Sequence, residues 1–167
     1  MVNSVSGELL EIERKFLIEY PDIAFLENDP SCRRAEIVQT YLKGSPDEEK
    51  RVRKRCENGK TVYYHTVKRR VTDIKRVEIE KVISEREYLE MLDNADESMR
   101  PIVKTRYCLE YGNHLFEIDV YPFWNDKAVV EVELCAEDEI IAFPKEIKVL
   151  KEVTDDKAYK NSSLAKI

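Results

Sequence analysis

The chain has 167 residues, enough for one domain with a sizeable core. Charged residues make up 37% and apolar residues 43%, which excludes a disordered chain. The net charge of -6 argues against general nucleic-acid binding and requires any bound anion to be met by a local cluster of cations.

The dominant period is two. In chain order, Leu10–Ile18 alternates in part and reads as a strand, Asp22–Leu26 as a turn of helix, and Ala35–Leu42 as a second strand. Arg51–Cys56 and Val62–Lys68 flank Glu57-Asn58-Gly59-Lys60, whose Asn-Gly pair predicts a tight hairpin. Arg76–Ile83 is a further strand. Ser84-Glu85-Arg86-Glu87 has the form of a capping box, with Tyr88, Leu89 and Leu92 as a helical stripe behind it. Ile102–Glu110 and Leu115–Tyr121 flank a second hairpin at Tyr111-Gly112-Asn113-His114, and Val129–Leu134 is the last strand. Glu137–Leu150 reads as a helix in two pieces broken at Pro144, and Thr154 or Asp155 as the cap of a short C-terminal helix through Tyr159–Ala165. With no linker, repeat or low-complexity stretch, one domain over residues 1–167 is expected. Short turns between the strands favour an antiparallel sheet.

The cysteines (Cys32, Cys56, Cys108, Cys135) lie far apart without a CxxC, so neither a zinc site nor a disulfide framework is expected. No apolar run approaches membrane-spanning length. A soluble, reduced, cytoplasmic protein is the expectation, with no membrane or nucleic-acid partner; oligomeric state is left open, a homodimer included. Glycine-rich phosphate loops of the GxxxxGK or GxGxxG type are absent, so phosphates would have to be held by side chains.

Residues i and i+2 of a strand share a face, about 6.8 Å apart. The in-phase sets are Glu11, Glu13 and Lys15; Arg51, Arg53 and Arg55; Lys68 and Arg70; Glu78 and Glu80; Lys104 and Arg106; Glu117 and Asp119; and Glu131 and Glu133. The remaining strand offers Gln39 and Tyr41. Any one set is an ordinary solvated face. Together they differ: most strands carry one sign, and neighbouring carboxylates raise each other's pKa unless a cation sits between them. The opposite faces are apolar, as in Phe116, Ile118 and Val120. The expected architecture is mainly β (α+β): a closed eight-stranded antiparallel β-barrel with a charged tunnel, a few helices outside and a C-terminal helix. Such a lumen is stable when a polyanion and divalent cations match its charges. Carboxylates suit Mg²⁺ or Mn²⁺, and Lys and Arg suit phosphate. That assembly points to metal-assisted phosphoryl transfer.

At this point the chain resembles the CYTH superfamily, the triphosphate tunnel metalloenzymes. EIERK matches their ExExK signature, and the match continues in order through RVR (51–53), TVK (66–68), VEIE (77–80), VKTR (103–106), FEID (116–119) and VEVE (130–133). Residues 159–165, YKNSSLA, are similar to the family's Tyr-x-Asn-x-x-Leu-Ala stretch, which suggests a plug at one tunnel mouth, a simple cap on the barrel being the alternative. The resemblance implies a divalent-metal-dependent hydrolase of inorganic tripolyphosphate or nucleoside triphosphates. Substrate contacts would be Lys15, Arg51, Arg53, Lys68, Lys104 and Arg106, with Glu78 and Glu80 ordering the basic groups. Metal would be held by Glu11, Glu13, Glu131 and Glu133, then Glu117 and Asp119. Catalysis would rest on Glu11, Glu13, Lys104 and Arg106. Departures are Arg69 and Arg70 after TVK, where glycine is common, and the charged insertion Asp47–Lys50. Arg55 and Arg76 are in phase with the site, with solvent exposure as their default. His65 reads as structural, and Arg14 falls on the opposite face. Alternatives are a class IV-type adenylyl cyclase, a thiamine triphosphatase (for which Trp124 is thin support), a polyphosphate- or nucleotide-binding module without turnover, and a barrel with an apolar core and a charged exterior.

Overall fold

The computed structural model describes the backbone of residues 2–5, 8–72 and 75–166, and the side chains from Ile12 onward within those ranges apart from Arg76. Among the described residues, ten strands form one antiparallel sheet. They are β1 (Val2–Val5), β2 (Glu8–Glu19), β3 (Arg33–Tyr41), β4 (Glu48–Glu57), β5 (Lys60–Arg70), β6 (Lys75–Ile83), β7 (Ile102–Tyr111), β8 (His114–Val120), β9 (Lys127–Glu133) and β10 (Val149–Glu152). The order is β1-β2-β6-β5-β4-β3-β7-β8-β9, with β10 also on β2. The described residues also form the helices α1 (Ile23–Asn28), α2 (Glu85–Met91) and α3 (Asn161–Leu164).

The expected closed eight-stranded barrel is corrected by the pairing of β2. Its first half, Leu9–Ile12, pairs with β6, and its second half, Glu13–Glu19, pairs with β9. Among the described residues, none of β2 pairs with both β6 and β9. β1 takes up the other edge of the first half and β10 that of the second. The sheet therefore wraps round its charged face but is not closed into a barrel, because the β6 and β9 ladders meet β2 at different residues and never at the same level. Neither β1 nor β10 was expected.

Both hairpins form as read. Asn58 and Gly59 have φ of 52° and 75°, the left-handed pair that matches strand twist. Ser84 caps α2 in a full capping box. Asp22 caps α1, accepting from the Phe25 amide at 3.1 Å.

The expected two-piece helix over residues 137–150 does not form. The segment runs through turns into β10. Glu139 is instead drawn to His114 and to the Cys135 amide, and Ile141, Phe143 and Ile147 pack on the sheet from a segment of turns and irregular chain. The C-terminal helix is shorter than read: a 3-10 turn at Lys157–Tyr159 capped by Asp156, then the single turn α3.

Alternation divides the side chains between two environments. On the outer face Ile12, Phe16, Ile18, Tyr107, Leu109, Phe116, Ile118, Val130 and Val132 form the main core, covered by α1 and the 141–147 segment. A smaller cluster of Val52, Ile83 and Tyr88 lies under α2. A third gathers Leu17, Tyr41, Ile102, Tyr121 and Val129 with Val153 and Ala165 of the C-terminal segment. In β2 this leaves Glu13 and Lys15 facing the concave side while Ile12, Arg14 and Phe16 face away.

Candidate active site

The concave face surrounds a cavity of about 580 Å³. β2 contributes Glu13 and Lys15; β4 contributes Arg51, Arg53 and Arg55; β5 contributes Lys68 and Arg70. β6 adds Glu78 and Glu80, β7 adds Lys104 and Arg106, β8 adds Glu117 and β9 adds Glu131. Where a strand contributes more than one side chain, they lie two residues apart and so share the cavity face. The reading of a charged exterior over an apolar interior is thereby excluded for these side chains.

Behind the wall lies Asp119, fully buried, and it organises two of the cations. It accepts from Lys104 Nζ at 2.8 Å, from Arg106 Nε at 2.7 Å and from Arg106 Nη2 at 2.9 Å. Arg106 Nη1 also reaches Glu117 at 2.9 Å. Burial opposes ionisation of Asp119, but Arg106 and Lys104 outweigh it and hold the carboxyl down at about 2. Burial pushes Lys104 down, to about 7, against the attraction of Asp119.

Other cations are steadied by carboxylates at the cavity surface. Lys68 lies 3.5 Å from Glu78, Lys15 lies 3.4 Å from Glu131, and Arg51 lies 3.7 Å from Glu49. Glu80 accepts from the Thr66 hydroxyl at 3.0 Å. Arg53 differs. It is 8% exposed, its Nε is buried without a hydrogen-bond partner, and no carboxylate among the described residues pairs with it. Burial, then the neighbouring Arg51 and Arg106, push its pKa down to about 10. A buried guanidinium between two others is what a bound polyanion would relieve.

The expected metal ligands are placed unevenly. Burial, then the adjacent Glu131, push the Glu13 carboxyl up to about 7. Glu133 sits opposite Glu13 across the β2–β9 ladder. Glu117 and Asp119 are engaged by Arg106 and Lys104. The Glu11 side chain lies outside the described ones. Among the described residues no group of three or more His, Cys, Asp or Glu is gathered round one point.

Several lining residues had not been assigned. Arg55 and Arg70 are reached by continuing the i+2 phase of Arg53 and Lys68. Tyr41 also lines the cavity; its hydroxyl accepts from the Gln39 amide at 2.7 Å, and burial pushes it up to about 12. Asp47 and Glu49 of the insertion and Thr154, Lys157, Lys160 and Lys166 of the C-terminal segment complete the wall, and no strand periodicity marks Asp47 or the four C-terminal residues. Arg14 pairs with Glu152 on the far face, as its phase requires.

The chain is 35% identical over 160 residues to an inorganic triphosphatase of Nitrosomonas europaea, covering 94% of this chain and 97% of that one. It is 34% identical over 158 residues to an inorganic triphosphatase of Acetivibrio thermocellus, covering 93% of each. Among solved structures, the crystal structure of an inorganic triphosphatase superposes with a TM-score of 0.58 at 33% identity, covering 93% of both chains. Residues 9–163 match the CYTH domain, and the chain belongs to that family.

Proposed function

We propose that this protein hydrolyses inorganic triphosphate with the help of a divalent cation. The observation that carries the reading is Arg53: a buried guanidinium without a counter-ion, flanked by Arg51 and Arg106, facing a cavity of about 580 Å³. Relatives named inorganic triphosphatases align with it over nearly their whole length.

The carboxylates fit a divalent cation. Two of them, Glu13 and Glu131, are neighbours on the half-buried cavity wall, and burial, then the charge of Glu131, raises the Glu13 carboxyl to about 7. Oxygen donors of this kind suit Mg²⁺ or Mn²⁺. Glu11, Glu13, Glu131 and Glu133 would hold it, with Glu117 and Asp119 behind them. When bound, such a cation supplies charge neutralisation and the activation of water for attack on phosphorus.

The chain's own residues do the rest. Arg51, Arg53, Lys68 and Lys15 bind phosphate oxygens and set the chain of phosphates along the cavity. Lys104 and Arg106, locked by Asp119, are preorganised to stabilise charge that grows on the leaving phosphate. Because Asp119 fixes them before substrate arrives, little reorganisation is needed during reaction. Glu78 and Glu80 keep Lys68 and Thr66 in place.

The test is an incubation with tripolyphosphate, ATP and thiamine triphosphate, each with Mg²⁺ or Mn²⁺, and identification of every product. Orthophosphate and pyrophosphate from tripolyphosphate are expected. Cyclic AMP as the main product from ATP would make it a cyclase, turnover confined to thiamine triphosphate a thiamine triphosphatase, and tight binding without product a binding module.

A further inference from the structure

The C-terminal segment brings its own charge to the cavity. The sheet and the loop before β4 contribute eight Lys and Arg side chains to the lining against seven Asp and Glu, close to neutrality. The strand cations are also largely committed: Lys15 to Glu131, Lys68 to Glu78, and Lys104 and Arg106 to Asp119. A nearly balanced wall attracts a polyanion weakly at a distance. The same cavity is lined further by Lys157, Lys160 and Lys166 and by no acidic residue of the C-terminal segment. These three lysines supply most of its net positive charge.

The lysines are held at the rim by structure. The Tyr159 carbonyl accepts from Lys15 Nζ at 3.0 Å, and the Thr154 hydroxyl accepts from the Lys15 amide at 3.0 Å. The Arg100 amide donates to the Ala165 carbonyl at 2.7 Å, and the Tyr121 hydroxyl donates to Asn161. Tyr159 packs against Trp124, and Ala165 is fully buried. This leaves Lys157 and Lys166 exposed and Lys160 half-buried at the mouth. A segment that served only to cover an apolar end would gain nothing from directing three cations into the site.

We propose that Lys157, Lys160 and Lys166 form a further part of the substrate site, which draws in the triphosphate and contacts its outward end. The inference rests on the triphosphatase reading and extends it to a segment beyond the strands. Lys15 links the two parts, since it both faces the phosphate cradle and anchors the segment.

The experiment compares the parent with the triple variant Lys157→Ala/Lys160→Ala/Lys166→Ala and with the corresponding triple Lys→Arg variant. KM and kcat for tripolyphosphate are measured across ionic strength, and tripolyphosphate binding is measured by calorimetry. The alanine variant should raise KM about tenfold or more at low salt, with a smaller change in kcat and a shallower dependence of KM on salt. The arginine variant should stay within about threefold of the parent, because charge is retained. A KM and salt dependence unaltered by the alanine variant would overturn the proposal. So would an equal loss in both triple variants, which would mark the segment as purely structural. If the parent binds tripolyphosphate without turning it over, the triphosphatase reading fails, and the calorimetric affinities of parent and alanine variant still decide the inference: a weakened variant supports it and equal affinities refute it. A parent that neither binds nor hydrolyses overturns both.

Discussion

Asp119→Asn removes one negative charge and almost no volume. In the folded protein that carboxylate accepts three hydrogen bonds, of 2.7, 2.8 and 2.9 Å, from Lys104 and Arg106, which are 1% and 7% exposed. An asparagine presents one oxygen and turns an NH₂ toward at least one of those donors. Two buried cations then lose their main counter-charge. Removing one partner of such a pair costs about 3–5 kcal/mol, equivalent to a fall of roughly 1 M in the guanidinium midpoint. The assay is chemical denaturation at neutral pH. pH provides a second check. The folded-state carboxyl sits at about 2 against an ordinary 3.8, so its contribution is fully present above about pH 4 and is lost as the pH falls toward 2. The gap between parent and variant should therefore narrow by about 2 kcal/mol over that range. A loss below about 1 kcal/mol at neutral pH, or a gap independent of acid, would refute the assignment of Asp119 as the group that holds these cations.

The remaining predictions concern other parts of the site and the fold. Arg53→Met should leave folding stability level or higher, because an uncompensated buried charge is removed, while tripolyphosphate affinity falls at least about tenfold; denaturation and calorimetry check the two. Glu13→Gln should abolish metal-dependent phosphate release at saturating metal. It should also remove a fall in metal-free stability between about pH 4.5 and 7, because a carboxyl raised to about 7 favours the folded state only while protonated; full activity in this variant would show the metal assignment to be wrong. Gly59→Ala should cost about 1 kcal/mol through its φ of 75° alone, since an added Cβ would meet nothing within 4 Å, and a thermal melt reads it.

Much of the site was legible because strand alternation maps sequence onto faces. Glu13 and Lys15 point inward and Arg14 outward for one reason, the period of two. The hairpins at Asn58-Gly59 and Tyr111–His114 were legible because their left-handed turn residues are local signals. The partner change of β2 was not, since pairing between residues over a hundred positions apart leaves no local mark. Nor was β10, whose four residues are all exposed and so lack an apolar alternation. Residues 137–150 carry apolar side chains that a helix could have used, and tertiary contacts to His114 and the core claim them first. Asp119 stood in phase with Glu117 as an expected metal ligand; only the fold reveals that it lies behind Lys104 and Arg106. The lysines of the C-terminal segment enter the cavity through turns that no period predicts.

The central claim is that this charged cavity hydrolyses inorganic triphosphate. The most direct measurement follows tripolyphosphate by phosphorus NMR in the presence of the protein, with Mg²⁺ or Mn²⁺ and then with excess chelator. Equal amounts of orthophosphate and pyrophosphate, formed only with the divalent cation, are predicted. Tripolyphosphate that persists unchanged with either metal would contradict the account.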